Sequence, residues 1–183
     1  MKLDTLKALY VEGLRDLHSA ERQILKALPK MIAGASSEHV KAAFTAHLAQ
    51  TEEQLVRLED ICEELRVNPK GKHCTGMEGL VAEGAELLEE DAEPDVRDAG
   101  LISAAQHVEH YEMAGYGTVR TYAELLGYES HAALVQVSLL EERATDQLLT
   151  EIALTVNVDA IVAEPADESI ASPEQEETGH RGR

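Results

Sequence analysis

The chain has 183 residues, 44% of them hydrophobic, which is enough for one domain with a complete core. Aromatic residues make up only 3%, with no Trp and one Phe, so the core must be Leu, Ala, Val and Ile; that suits close-packed helices and not a β-sandwich. With 16 basic against 35 acidic residues the net charge is -19, which argues against nucleic acid and anionic membrane as partners.

The first helix is predicted from Leu3 to Ala33, with Gly34 as its stop and Ser36 and Ser37 as the next cap. Its apolar seam, spaced three and four residues apart, reads Tyr10, Leu14, Leu17, Glu21, Ile24, Leu28 and Met31. A second helix is predicted from Glu38 to Val67, ending before Asn68-Pro69-Lys70-Gly71, with the seam Val40, Phe44, His47, Thr51, Gln54, Leu58, Ile61 and Leu65. Residues 68–94 form a long connection holding a short amphipathic helix that uses Met77, Leu80, Val81, Leu87 and Leu88. Pro94 closes it, and Asp95 is expected to cap a third long helix reaching about Leu126, with the seam Ile102, Ala105, Glu109, Glu112, Tyr116, Val119, Ala123 and Leu126. After Gly127, Glu129 or Ser130 starts a fourth long helix ending near Val156, with the seam Val135, Leu139, Glu142, Asp146, Leu149 and Ala153. Residues 159–183, with Pro165, Pro173 and a Glu-rich run, read as a disordered acidic tail, leaving 1–158 as the domain.

Two helical hairpins of similar length are thus tied by one long connection. It is long enough to travel the length of the helices, so the second and third long helices are expected to run parallel. The fold expected is all-α: a ferritin-like antiparallel four-helix bundle with one long crossover. No apolar run of 18 residues exists, and the N-terminus lacks the pattern of a signal peptide. Cys62 and Cys74 have neither the number nor the spacing of a disulfide framework or a zinc site, so a cytoplasmic location is expected.

The seams carry the functional signal. Glu21, Glu109, Glu112, Glu142 and Asp146 replace apolar residues there, together with the imidazole of His47, and no Lys or Arg occupies the intervening seam positions. Burying one carboxylate costs several kcal/mol unless it is paired or binds a cation, so these residues are candidate metal ligands. The bland alternatives are solvated carboxylate faces and a satisfied core histidine. A slightly rotated seam through Leu134, Ser138, Glu141, Thr145 and Leu148 would select Glu141 in place of Glu142, although the Leu139/Leu149 seam is more apolar. Thr51 and Gln54 continue the His47 stripe and can orient ligands by hydrogen bonds. Tyr116 lies one turn from Glu112 and either fills core volume or relays an electron. His18, His107 and His110 fall beside the seams, and His39, His73, His131 and His180 have no ligand context. A donor set rich in oxygen and poor in nitrogen suits Mn(II), Fe and Mg better than zinc or copper.

The strings Asp16-Leu17-His18-Ser19-Ala20-Glu21-Arg22-Gln23, His47 through Gln54, Gln106-His107-Val108-Glu109-His110-Tyr111-Glu112, and Glu141-Glu142 with Asp146 resemble the YciE/YciF-type family of ferritin-like stress proteins. The similarity spans roughly residues 3 to 156, with the four segments in matching order and separation. The resemblance implies a four-helix ferritin-like bundle, a homodimer and a site for two metal ions per chain, with iron first and manganese as the alternative. It also implies peroxide removal, in a catalase-like manner, or Fe(II) oxidation as the activity. On that reading Glu109 and Glu142 are the catalytic, bridging carboxylates, completed by Glu21, His47, Glu112 and Asp146. Gln50 stands where relatives often have Glu. Besides the enzymatic readings there is a non-enzymatic one, a helical stress protein whose polar seams pair through water and protons.

Overall fold

A computed structural model describes residues 3–162, which form five helices and no strand: α1 (Leu6–Gly34), α2 (Glu38–Glu64), α3 (Thr75–Glu89), α4 (Pro94–Leu125) and α5 (Glu129–Val162). Thr5 caps α1, its hydroxyl accepting from the Ala8 amide at 3.1 Å. The first cap of α2 differs from the expectation. Ser37 occupies the cap position but makes no side-chain cap bond. Instead the buried carboxylate of Asp98 on α4 accepts from the amides of Ser36 at 2.8 Å and Ser37 at 2.6 Å. A cap from a neighbouring helix ties the α1–α2 turn to α4. Asp95 is not the cap of α4 either; Glu93 is, and Pro94 opens the helix where a missing amide costs nothing.

α2 and α4 both end in a Schellman motif, with a left-handed residue just past the helix. Gly127 (φ 76°) serves this role after α4, where its amide donates to Glu124 and that of Tyr128 donates to Ala123. After α2 the position falls to Arg66 (φ 56°), with Val67 donating back to Cys62. α5 runs to Val162, past the expected end near Val156, so residues 159–162, assigned to the tail by sequence, are helical. The rest of that tail lies outside the described residues.

Cross-helix pairs define the directions. His18 meets Glu59 and Arg15 meets Asn68, so α1 and α2 are antiparallel. Gln106 meets Thr150 and Arg120 meets Gln136, so α4 and α5 are antiparallel. On α2 and α5, Arg57 bonds to Ser138 and His131 lies against Glu64. α1 and α4 approach closely where they are small: a Cβ on Gly13 would lie 2.9 Å from Val119, and one on Gly115 would lie 2.7 Å from Leu17. α2 and α4 therefore run the same way, and the chain returns between them through α3, which packs on α1 and α4. Met77 on α3 is fully buried, and Leu80, Val81, Leu87 and Leu88 pack around it at partial burial.

The core divides into two apolar layers. One gathers Ala20, Ile24 and Leu28 of α1 with Phe44, Leu101, Ile102, Ala105 and Leu149. The other gathers Tyr10, Leu14 and Leu17 with Leu58, Ile61, Tyr116, Val119, Val135 and Leu139. Between them, at the same height on each long helix, lie the polar seam residues.

Asp98→Ala is expected to lower unfolding stability by about 3 kcal/mol in urea denaturation, since it removes two charge-assisted bonds from backbone amides. Ser36→Ala and Ser37→Ala are expected to change it by less than about 0.5 kcal/mol, because their backbone amides are the donors.

Candidate metal centre

Each long helix contributes to the polar layer because a carboxylate or imidazole interrupts its seam. α1 supplies Glu21, α2 His47, α4 Glu109 and Glu112 one turn apart, and α5 Glu142. One donor atom from each of His47, Glu109, Glu112 and Glu142 lies within 4.8 Å of all the others. Glu21 closes the layer from α1, adjoining Glu112, and its Oε1 accepts a short hydrogen bond from the Tyr116 hydroxyl. All five residues are at most 2% exposed.

Most of their donor atoms face nothing that can satisfy them. Both oxygens of Glu109 and Glu112, Oε2 of Glu21 and Glu142, and both ring nitrogens of His47 are buried without a hydrogen-bond partner. His47 Nε2 is 3.3 Å from Glu109 Oε1, yet this is not an ion pair. Burial pushes the imidazole down to about 4, overcoming the opposing pull of Gln50 and the charge of Glu141, so the ring is neutral at pH 7. Burial raises all four carboxyls; repulsion within the cluster raises Glu21, Glu109 and Glu112 further, whereas for Glu142 the added repulsion comes from Glu141 against lowering bonds from Glu109 and Gln54. Glu21 is pushed up to about 8 and Glu142 to about 7, with Glu109 and Glu112 well above the usual range. An array of acceptors facing acceptors, with a neutral imidazole among them, is what a cation would satisfy. These residues fit a metal ion of the oxygen-preferring kind.

Neighbouring residues orient the acids. Gln54 Nε2 makes a short bond to Glu142 Oε1 and a second, at 3.1 Å, to Glu141 Oε2, leaving Glu142 Oε2 turned to the centre. Glu141 is held by Arg57 through two bonds of 2.6 and 2.9 Å. Of the two adjacent glutamates, Glu142 is therefore the one in the cluster, and Glu141 belongs to the partly exposed pair beside it. Thr51 is buried with its hydroxyl unpartnered, while Gln50 stands at the edge and accepts from Thr145 at 3.2 Å.

Asp146 does not join them. It is partly exposed, one turn beyond Glu142, and accepts from Gln106 at 3.0 Å, with His110 at 3.3 Å. Its seam position is real, but Gln106 reaches across from α4 and draws it outward. His107 and His110 are exposed, as their off-seam positions indicate. His18 and His131, which also lie off the seams, are instead buried. His18 meets Glu59 at 3.2 Å, and His131 bridges Tyr10 at 3.1 Å and Glu64 at 2.9 Å, stacking on Tyr10 and Tyr128. Sequence reasoning also missed Asp98 and Arg57. A signal existed for Asp98, which continues the seam one turn before Ile102; Arg57 left none, because its partner lies on another helix. Cys62 and Cys74 are buried free thiols, Cys74 lying 2.9 Å from the Tyr111 hydroxyl.

The geometry defines a class: an all-helical protein with a buried carboxylate–imidazole cluster at mid-core. Comparison with known proteins then places the chain. Residues 5–161 match the family described as a domain of unknown function, DUF892, and the chain belongs to that family. It is 43% identical to Protein YciF of Escherichia coli (strain K12) over 155 residues, 84% of this chain and 93% of that protein. The crystal structure of that stress protein superposes with a TM-score of 0.82 at 42% identity, covering 85% of this chain and 99% of the other. YcfI, a candidate structural protein from Rhodopseudomonas palustris, gives 0.78 at 39% identity, covering 82% and 97%.

The raised carboxyls set a pH dependence for the metal-free protein. A carboxyl that holds its proton more tightly in the fold contributes fully below its ordinary pKa of 4.5, and that contribution is lost as pH rises through the folded values near 7 and 8. His47 has the opposite sign, but its contribution is lost only as pH falls from 6.5 toward about 4. Between pH 6.5 and 9 only the carboxyls act. After chelation, urea denaturation should therefore show a stability loss on the order of a few kcal/mol across that range. An unchanged midpoint would refute the buried-acid description.

Proposed function

We propose that this protein is a metal-dependent member of the ferritin-like stress proteins that holds two metal ions per chain in the mid-core layer and removes peroxide. The carrying observation is the set of buried carboxylate oxygens with no partner on four converging helices. The parallel course of α2 and α4, with the long return through α3, supports the ferritin-like one-crossover reading of the bundle. No helix among the described residues is long and apolar enough to cross a membrane, which is consistent with the cytoplasmic site of action proposed here.

Glu21, His47, Glu109, Glu112 and Glu142 would hold the ions, with Glu109 and Glu142 as the catalytic pair. Iron is the first choice and manganese the second, on the oxygen-rich donor set. Bound redox-active ions would supply the two-electron exchange that peroxide disproportionation requires. The protein's own part is positional and dielectric. His47, neutral at pH 7, has a lone pair available without first losing a proton. Tyr116 and Gln54 each fix one oxygen of Glu21 and Glu142, leaving the other oxygen uncommitted. Both oxygens of Glu109 and of Glu112 are uncommitted and would be available to the ions. Apolar layers above and below keep bulk water out. Asp146, engaged by Gln106, acts from the edge. A homodimer is proposed as well, on the exposed apolar stripe Leu154, Val158 and Ile161 of α5, and sedimentation equilibrium reading a monomer would end that proposal.

Elemental analysis of the purified protein is expected to give about two Fe or Mn ions per chain. Glu109→Ala is expected to lose both the metal and peroxide turnover while keeping its helical circular dichroism, and its metal-free form should be at least as stable as the parent at pH 8 because a buried acid is gone. Stoichiometric metal retained in that variant would sink the assignment. Fe(II) consumption with dioxygen, without peroxide turnover, would reassign the centre to iron oxidation.

A further inference from the structure

A cavity of about 320 Å³ lies between α1, α3 and α4 and ends against two residues of the ligand set. Its walls are apolar, formed by Ile24 and Leu28 of α1, Val81 of α3 and Ala105 of α4. Its inner end reaches His47 and Glu109, which apart from these walls are the polar groups of its buried lining. Lys26 and Lys30, one turn apart on α1, are the exposed cations of its rim. Neither lysine has a carboxylate partner among the described residues, although the chain carries a net charge of -19. His73, also at the rim, is already engaged with Glu78 at 2.9 Å.

These features specify a ligand. Peroxide or dioxygen alone would need no space of this size, which falls in the range of small-molecule pockets. A sugar or nucleotide would need several polar groups along the walls, and the walls offer only Gln23, whose amide nitrogen already donates to the Cys74 carbonyl at 2.9 Å. Two unpaired lysines at the mouth select an anionic head, and the apolar depth selects an alkyl tail. We infer that the α1–α3–α4 cavity binds a medium-chain alkyl carboxylate, with its head at Lys26 and Lys30 and its tail pointing toward His47 and Glu109. The long connection then does more than return the chain: α3 supplies one wall of a ligand site. This binding does not depend on the redox reading, since the walls and the lysines are in place without a metal.

The test is isothermal titration calorimetry of the full chain with decanoate, kept below its micellar concentration, and with decanol as the uncharged counterpart. Wild-type protein is expected to bind decanoate saturably at one site per chain. Lys26→Glu combined with Lys30→Glu, both on the surface, should weaken decanoate by about tenfold and leave decanol nearly unchanged. Val81→Trp, which narrows the apolar wall, should weaken both ligands, with circular dichroism verifying the fold. No saturable decanoate binding to wild-type protein would overturn the proposal. So would equal decanoate affinity in the wild-type and charge-reversed proteins.

Discussion

Four carboxylates and one imidazole share the middle of a core built mainly of Leu, Ala, Val and Ile, and no buried Lys or Arg among the described residues answers them. In the metal-free chain burial raises every one of the four acids, and like charge raises them further, from within the cluster for Glu21, Glu109 and Glu112 and from Glu141 for Glu142. The surrounding design follows from containing that layer. Apolar side chains close it from both ends, and the small residues Gly13 and Gly115 let α1 and α4 come close on one side of it. Such a core is less stable than an apolar one of equal size, so its retention makes sense through what the acids can hold.

Orientation of the acids depends on groups that are not themselves in the cluster. Tyr116 engages Glu21, and Gln54 engages Glu142 while also touching Glu141. Arg57 anchors Glu141 with a bidentate pair, so a positive charge sits near the layer without entering it. That arrangement leaves one glutamate of the Glu141–Glu142 pair inside and one at the border. Farther away, the Tyr10–His131–Glu64 chain repeats the principle at another level, satisfying a buried imidazole by cross-helix partners.

α3 changes how the core is reached. In its place, a bare return loop would leave the α1–α4 face apolar and open. Met77 instead anchors α3 on that face, and the partly buried Leu80 and Val81 stand over a cavity that ends at His47 and Glu109. Asp98, in the first turns of α4, holds the α1–α2 turn at the same end of the molecule as α3 meets α4. The return segment and the cluster are thus parts of one packing problem.

Sequence by itself determined the helices and the height of the polar layer. A three- and four-residue period survives whatever the partner, so each interrupted seam located Glu21, His47, Glu109, Glu112 and Glu142, and Pro94 and Gly127 marked the breaks. The long connection likewise forecast the parallel course of α2 and α4. Only tertiary structure decided which seam residues meet. Asp146 is drawn outward by Gln106, Glu141 is claimed by Arg57, and Asp98 caps a helix to which it does not belong. His18 and His131 are buried although off their seams, because their neighbours on other helices bring Glu59, Tyr10 and Glu64 to them. The physical reason is the same throughout. Periodicity fixes the direction of a side chain relative to its own helix, whereas hydrogen-bond partners and open volume are set by a second and third helix that no local pattern encodes.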